Sequence, residues 1–201
     1  MCCRFFVSHD NAMKDIYAQA NRKYEKYAGK TMATEGEMLP SSAVAAFAAS
    51  RSGELAVFPM VWGYSFPESK NLVINARSET AKDKYVFRES WNTRRCIIPA
   101  SYYFEWQHVD DKAKQKYAIR QKEEGICYLA GLYRFEEDTR IPRCVILTKE
   151  PTPDISFIHD RMPVLFNEEG RNAWLRRDSD PEKVLNLSLC SLEYYAVNKS
   201  I

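Results

Sequence analysis

The second residue carries the most unusual chemistry in this sequence. Removal of the initiator Met is favoured when the next residue is small, and Cys2 is small enough. A chain that begins at Cys2 bears a primary amine and a thiol on one residue. An α-amino group has a pKa of roughly 7.7–8.0, so near neutrality an appreciable fraction is unprotonated and nucleophilic, unlike a lysine of ordinary pKa. Such an amine condenses with an aldehyde to a Schiff base. The neighbouring thiol then closes on the imine carbon to give a thiazolidine ring, a route denied to an internal cysteine, whose nitrogen is an amide. Two other readings of Met1-Cys2-Cys3 are a start without a chemical role and a palmitoylation signal. The second lacks the adjoining basic or amphipathic segment that stable anchoring needs.

Three further segments set reactive groups among apolar neighbours. Val73-Ile74-Asn75-Ala76-Arg77-Ser78-Glu79-Thr80 ends a strand with Asn and Arg. Ser101-Tyr102-Tyr103-Phe104-Glu105-Trp106 places a Glu between aromatics, and Phe157-Ile158-His159-Asp160-Arg161-Met162-Pro163 sets a His beside an Arg. A carboxyl group among aromatics is expected to have a raised pKa and to hold a proton near neutrality, as a general acid must. Each group taken singly is equally compatible with a hydrogen-bonded structural role.

The elements that must position these residues follow from hydrophobic periodicity and turn chemistry. A strand over Cys3–Val7 leads into a helix from about Asp10 to Tyr27, with Met13, Ile16, Tyr17, Ala20, Tyr24 and Tyr27 at helical spacing. From Gly29 to Ser52 the chain reads as a polar, Ala-rich surface loop around Pro40 and Ser41-Ser42. Strands are expected over Glu54–Trp62, Leu72–Ile74, Arg95–Ile98, Tyr102–Trp106, Lys116–Arg120, Ile126–Tyr133 and Arg143–Leu147. Thr80 with Asp83 resembles a capping box opening a helix that runs to about Trp91, and Asn167 caps another that ends in Arg176-Arg177. Asp180-Pro181 opens a short last helix before a strand near Leu189–Tyr194.

The 201 residues show no internal repeat, low-complexity tract or interdomain linker, so one domain over 1–201 is the economical organisation. Many short strands with dispersed helices point to an α+β fold whose mixed or antiparallel sheet is strongly curved and partly closed, barrel-like, with peripheral helices. A net charge of +2 neither requires nor excludes a polyanionic partner, because phosphate affinity depends on where the arginines sit. Cysteines at 2, 3, 96, 127, 144 and 190 form no CxxC pair and meet only three histidines, so no metal site and no cofactor are expected. Without a signal-like start or a long apolar run, the expected compartment is cytoplasmic, with no membrane partner. There Cys96, Cys127 and Cys144 should be core-filling thiols.

Together these segments resemble the SRAP family, the SOS response-associated peptidase proteins that shield abasic sites in single-stranded DNA. The resemblance spans nearly the whole chain and is carried by Met1-Cys2-Cys3-Arg4-Phe5, Met60-Val61-Trp62-Gly63-Tyr64, Asn75-Ala76-Arg77-Ser78-Glu79-Thr80, Arg95-Cys96-Ile97-Ile98-Pro99-Ala100, Tyr102-Tyr103-Phe104-Glu105-Trp106 and Ile158-His159-Asp160-Arg161-Met162-Pro163. It implies that Cys2, freed of Met1 by the protein itself, forms a thiazolidine with the ring-opened abasic sugar. It further implies that Asn75 positions the nucleophile, that Glu105 is the acid that helps open the sugar, and that His159 moves protons in Schiff-base formation and reversal. Thr148 would hold the same site. Arg4, Arg77 and Arg161 would hold phosphates, and Trp62 and Pro40 would form part of the apolar surface that meets bases. The implied partner is single-stranded DNA containing abasic sites, met by a monomer that is nucleoid-associated when on DNA, or nuclear in a eukaryote.

The chain departs from the family pattern in two places. Cys3 stands where Gly is usual, putting a second thiol beside the first. Tyr64-Ser65-Phe66-Pro67 replaces the usual Leu, apolar residue and Pro after Trp-Gly. Two other function classes stay open on the residues alone. One is an amino-terminal-nucleophile peptidase acting on other proteins, which would turn over a peptide without DNA. The other is a noncatalytic single-stranded nucleic-acid-binding module, which would keep its function without the Cys2 thiol.

Overall fold

The computed structural model describes residues 2–50, 52–110, 113–123, 125–136 and 139–197. Strand β1 (Phe5–Val7) buries Phe5 and Val7 and leaves Phe6 on the wetter side, the alternation of a strand with one face in the core. Helix α1 (Asn11–Ala28) follows. The Asp10 side chain caps it by accepting the Met13 amide at 2.9 Å, and Gly29 ends it in the left-handed region at φ 68°. Met13, Tyr17, Ala20 and Tyr24 face inward. Tyr27, expected on the same face, is 46% exposed because the core ends one turn earlier.

The stretch from Gly29 to Ser52, expected as a surface loop, instead contains β2 (Gly36–Met38) and β3 (Ala43–Ala49). The alanines of β3 hid the strand, since alanine has low β-propensity. Their small side chains suit a central strand against which a helix packs, and Val44, Ala45, Ala46 and Ala48 are buried. Next come β4 (Leu55–Trp62) and a hairpin of β5 (Tyr64–Phe66) and β6 (Ser69–Val73). Gly63 joins β4 to this hairpin at φ 110°, where a Cβ would lie 3.1 Å from the Leu72 side chain. Strand β7 (Asn75–Arg77) then leads to α2 (Tyr85–Thr93). That helix starts later than the Thr80–Asp83 pattern suggests. Residues 78–84 are held in turns, with the Ser78 amide bound to the Thr148 carbonyl at 2.9 Å, and Lys84 stands at the cap without a side-chain bond.

The remaining elements are β8 (Arg95–Ala100), β9 (Tyr102–His108), β10 (Lys114–Gln121), β11 (Cys127–Arg134), β12 (Arg143–Lys149), β13 (Met162–Pro163), β14 (Leu165–Phe166), α3 (Glu168–Leu175), α4 (Pro181–Leu185) and β15 (Leu192–Val197). Asn167 and Asp180 cap α3 and α4 as expected. The last strand lies further along than Leu189–Tyr194, because the Leu189 amide is committed to the Leu165 carbonyl at 2.9 Å.

Two principal sheets result. One is antiparallel, in the order β15-β10-β9-β1-β2. The other runs β13-β12-β4-β3-β8-β11-β14, and a β11–β12 pairing closes five of its strands into a ring; β4 and β7 both pair with β12 in parallel. The fold is therefore the mixed α+β, partly closed sheet that the strand pattern implied. Cys96, Cys127 and Cys144 are fully buried within it. Among the described residues no helix is long and apolar enough to cross a membrane, and no group of three or more His, Cys, Asp or Glu side chains could hold a metal ion.

Candidate active site

The segment around Cys2 is fixed from two sides. β1 is hydrogen-bonded between β2 and β9, with Phe5 opposite Met38 and Tyr103. Just ahead of this strand, the Arg4 carbonyl accepts the Phe104 amide at 2.9 Å. Continued two residues outward, the same register brings Cys3 opposite Glu105. From the other side, Asn75 at the head of β7 donates its Nδ2 hydrogen to the Cys2 carbonyl oxygen at 2.8 Å. The side chain of Cys2 is fully buried and that of Glu105 is 4% exposed. Burial pushes the Cys2 thiol far above the ordinary thiol range, and the Glu105 carboxylate adds to the effect. Cys3, half buried, is raised for the same two reasons.

Trp62 bridges β1 and β7, which lie in different sheets. Its indole Nε1 donates to the Ile74 carbonyl at 3.0 Å, immediately before Asn75, and its ring lies 5.3 Å from that of Phe5. The residue is fully buried. This corrects the expectation that it meets bases, since an indole spent on Ile74 and Phe5 has no face left to stack on DNA. Pro40 is half buried in the turn between β2 and β3, beside Ser41, whose amide donates to the Trp62 carbonyl at 2.8 Å.

The remaining expected site residues gather around β12. Parallel pairing sets Asn75 across from Ile146 and Arg77 across from Thr148. Thr148 is fully buried, its hydroxyl 3.5 Å from the Ala76 carbonyl. Its own carbonyl accepts Nη2 of Arg161 at 2.7 Å, while both Arg161 Nη atoms reach the Glu79 carboxylate at 2.8 Å. His159, two residues away, accepts the Arg161 amide at Nδ1 across 3.1 Å and lies 2.6 Å from the Asp160 carboxylate through the same nitrogen. An unprotonated Nδ1 takes the first contact and a protonated one the second, so the ring has a partner in either state.

The three arginines are not equivalent. Arg77 is exposed and forms no salt bridge among the described residues. Arg161 is clamped by Glu79. Arg4 points to the face of its sheet that Glu105 turns away from, where it pairs with Glu37 at 2.9 Å and lies over Trp106. Lys116 shares that face, bonding Glu37 at 2.5 Å and covering the Phe104 ring. Glu37, Glu79 and Lys116 escaped the sequence reading. Glu79 alone left a signal, as the acid inside the Asn75–Thr80 segment. A surface cleft lined by Gln121, Lys122, Tyr128, Asn167 and Leu189 contains none of these groups.

The family model described as SOS response associated peptidase (SRAP) matches residues 1–201. The chain belongs to the SRAP family. Among SRAP relatives, it is similar to the abasic site processing protein YobE of Bacillus subtilis (strain 168), 36% identical over 137 residues, which is 64% of this chain and 63% of that one. It is also similar to the abasic site processing protein YedK of Escherichia coli (strain K12), 31% identical over 131 residues, 64% of this chain and 59% of that one. The chain thus spans a little under two thirds of the length of these relatives. A phage-related protein from Bordetella bronchiseptica, known by its crystal structure, superposes with a TM-score of 0.75 at 20% identity, covering 98% of this chain and 95% of that one. A protein from Bacteroides thetaiotaomicron does so with a TM-score of 0.75 at 22% identity, covering 98% and 93%. At such identities these two carry the fold alone.

Proposed function

We propose that this SRAP protein processes abasic sites, capturing the lesion in single-stranded DNA as a thiazolidine formed by Cys2 once Met1 has been removed by the protein's own peptidase activity. The observation that carries the proposal is the Asn75–Cys2 hydrogen bond of 2.8 Å, which ties the reactive residue by its backbone and leaves its amine and thiol uncommitted to that bond. A terminus held in this way keeps both nucleophiles near one carbon.

The order of events follows from the thiol. Burial keeps it protonated at neutral pH, so the amine is the first nucleophile. Its lone pair adds to C1′ of the ring-opened sugar, the C–N bond forms, and the carbonyl electron pair moves to oxygen, which takes a proton from Glu105. Nitrogen returns one proton to Glu105, and its second proton leaves with the hydroxyl as water, which gives the imine. The thiol then adds across it: sulfur bonds to carbon and the thiol proton passes to nitrogen. Aldehyde and aminothiol thereby give thiazolidine and one water. His159, with a partner in both protonation states, suits the proton transfers of formation and of a lyase-like reversal.

An oligonucleotide bearing one abasic site should shift the protein on a denaturing gel and add its mass, less one water, to an intact protein that has lost Met1. Cys2→Ala should abolish both effects. Equal crosslinking by the alanine variant, or full activity with Met1 retained, refutes the proposal.

A further inference from the structure

Tyr103 sits in β9 with its side chain fully buried, yet its hydroxyl has no hydrogen-bond partner among the described residues. A buried polar group left unbonded is destabilising, and phenylalanine would fill the same space without that cost. The position of the hydroxyl supplies a reason. Tyr103 is the cross-strand partner of Phe5 in β1, and Glu105, two residues along β9, shares its face of the sheet. The groups whose charges act on the phenol are Cys2, Glu105 and Cys127. Burial foremost, then those neighbours, holds the phenol well above its ordinary range, so it stays a neutral O–H donor at any working pH. A donor that lacks only an acceptor thus lies beside the thiol and the carboxyl group of the proposed reaction.

We infer that the Tyr103 hydroxyl donates a hydrogen bond to the sugar oxygen on C1′ as that oxygen gains charge. The inference rests on the thiazolidine chemistry proposed above and adds to it a catalytic residue. As the amine of Cys2 bonds to C1′, the carbonyl pair localises on oxygen. Tyr103 stabilises that alkoxide without giving up its proton, which comes from Glu105, and the oxygen leaves as water. A preorganised donor aimed at developing charge in a water-poor site is worth more than the same bond in water.

Tyr103→Phe removes the oxygen and keeps the ring. The test uses full-length, Met1-processed protein and an oligonucleotide with one abasic site, and reads the single-turnover crosslinking rate at saturating protein, the affinity for an undamaged single strand, and the melting temperature. The expected result is a rate lower by about tenfold or more, affinity unchanged, and a melting temperature equal to or above that of the wild type, because an unsatisfied buried group has gone. A wild-type rate in Tyr103→Phe overturns the inference and leaves the thiazolidine chemistry standing. A slow variant that also melts earlier or binds DNA more weakly assigns the hydroxyl to packing and overturns it as well. Failure of the wild-type protein itself to crosslink overturns both.

Discussion

Glu79 grips Arg161 with both carboxylate oxygens, each 2.8 Å from a guanidinium nitrogen, and the same guanidinium is pinned to the Thr148 carbonyl. A phosphate that used Arg161 would have to displace or share this carboxylate.

Glu79→Gln should therefore strengthen single-strand binding several-fold at low salt. If one more phosphate contact forms, the plot of log affinity against log salt should steepen by about 0.7. Fluorescence anisotropy across a salt series measures both quantities, and an unchanged slope assigns Arg161 to structure alone.

The same pair sets an acid response. The hydrogen bonds from Arg161 hold the Glu79 carboxyl below the ordinary glutamate value, against a smaller opposing effect of partial burial. Its folded-state pKa is thus below its unfolded one, so the stabilisation is complete above the unfolded value of about 4.3 and is lost as pH falls through the folded value. The wild type should lose melting temperature over that window more steeply than Glu79→Gln, whose profile should be flatter. Parallel profiles would show that the pair adds nothing to stability.

Trp62 should behave as a structural residue. Trp62→Ala empties a fully buried indole site and should destabilise by about 3–5 kcal/mol in urea titrations. Trp62→Phe, which keeps an aromatic ring but removes the indole donor from an Ile74 carbonyl that still accepts the Ile146 amide at 3.1 Å, should destabilise by only about 1 kcal/mol while the folded protein binds undamaged single-stranded DNA as before. Loss of binding by that folded variant would restore Trp62 to the DNA surface.

Asn75→Ala removes the side chain that fixes the Cys2 carbonyl. Crosslinking should slow by about 10–100-fold with little change in single-strand affinity, since misplacing a nucleophile by about 1 Å is enough for such a loss. Comparing the crosslinking rate with anisotropy separates these effects, and an unchanged rate removes Asn75 from the mechanism.

What could be read from the sequence was local. Asp10, Gly29, Asn167 and Asp180 announce helix ends because their side chains or torsions act within a turn of where they stand. Cys2, Asn75, Glu105 and His159 stood out because each is a chemically capable group in an apolar setting, although only the family resemblance joined them in one proposed reaction. β2, β3, β13 and β14 were illegible for the opposite reason: two or three residues, or a run of alanines, become a strand only when distant partners supply the hydrogen bonds. The burial of Trp62, the outward turn of Arg4 and the Glu79 clamp depend on backbone and acids brought from elsewhere in the chain, as does the open hydroxyl of Tyr103 beside Cys2.

The closure of the second sheet by β12 also sets a timetable. Asn75 reaches Cys2 from a strand whose parallel bonds run to residues 146–148, so the grip on the amino terminus is built from the last third of the polypeptide. During synthesis the terminus emerges first and its anchor late. Throughout that interval the leading end hangs free of its final seat. Under the self-processing proposed above, a ribosome stalled before β12 emerges would display Met1-Cys2 still joined, with no pocket to part them.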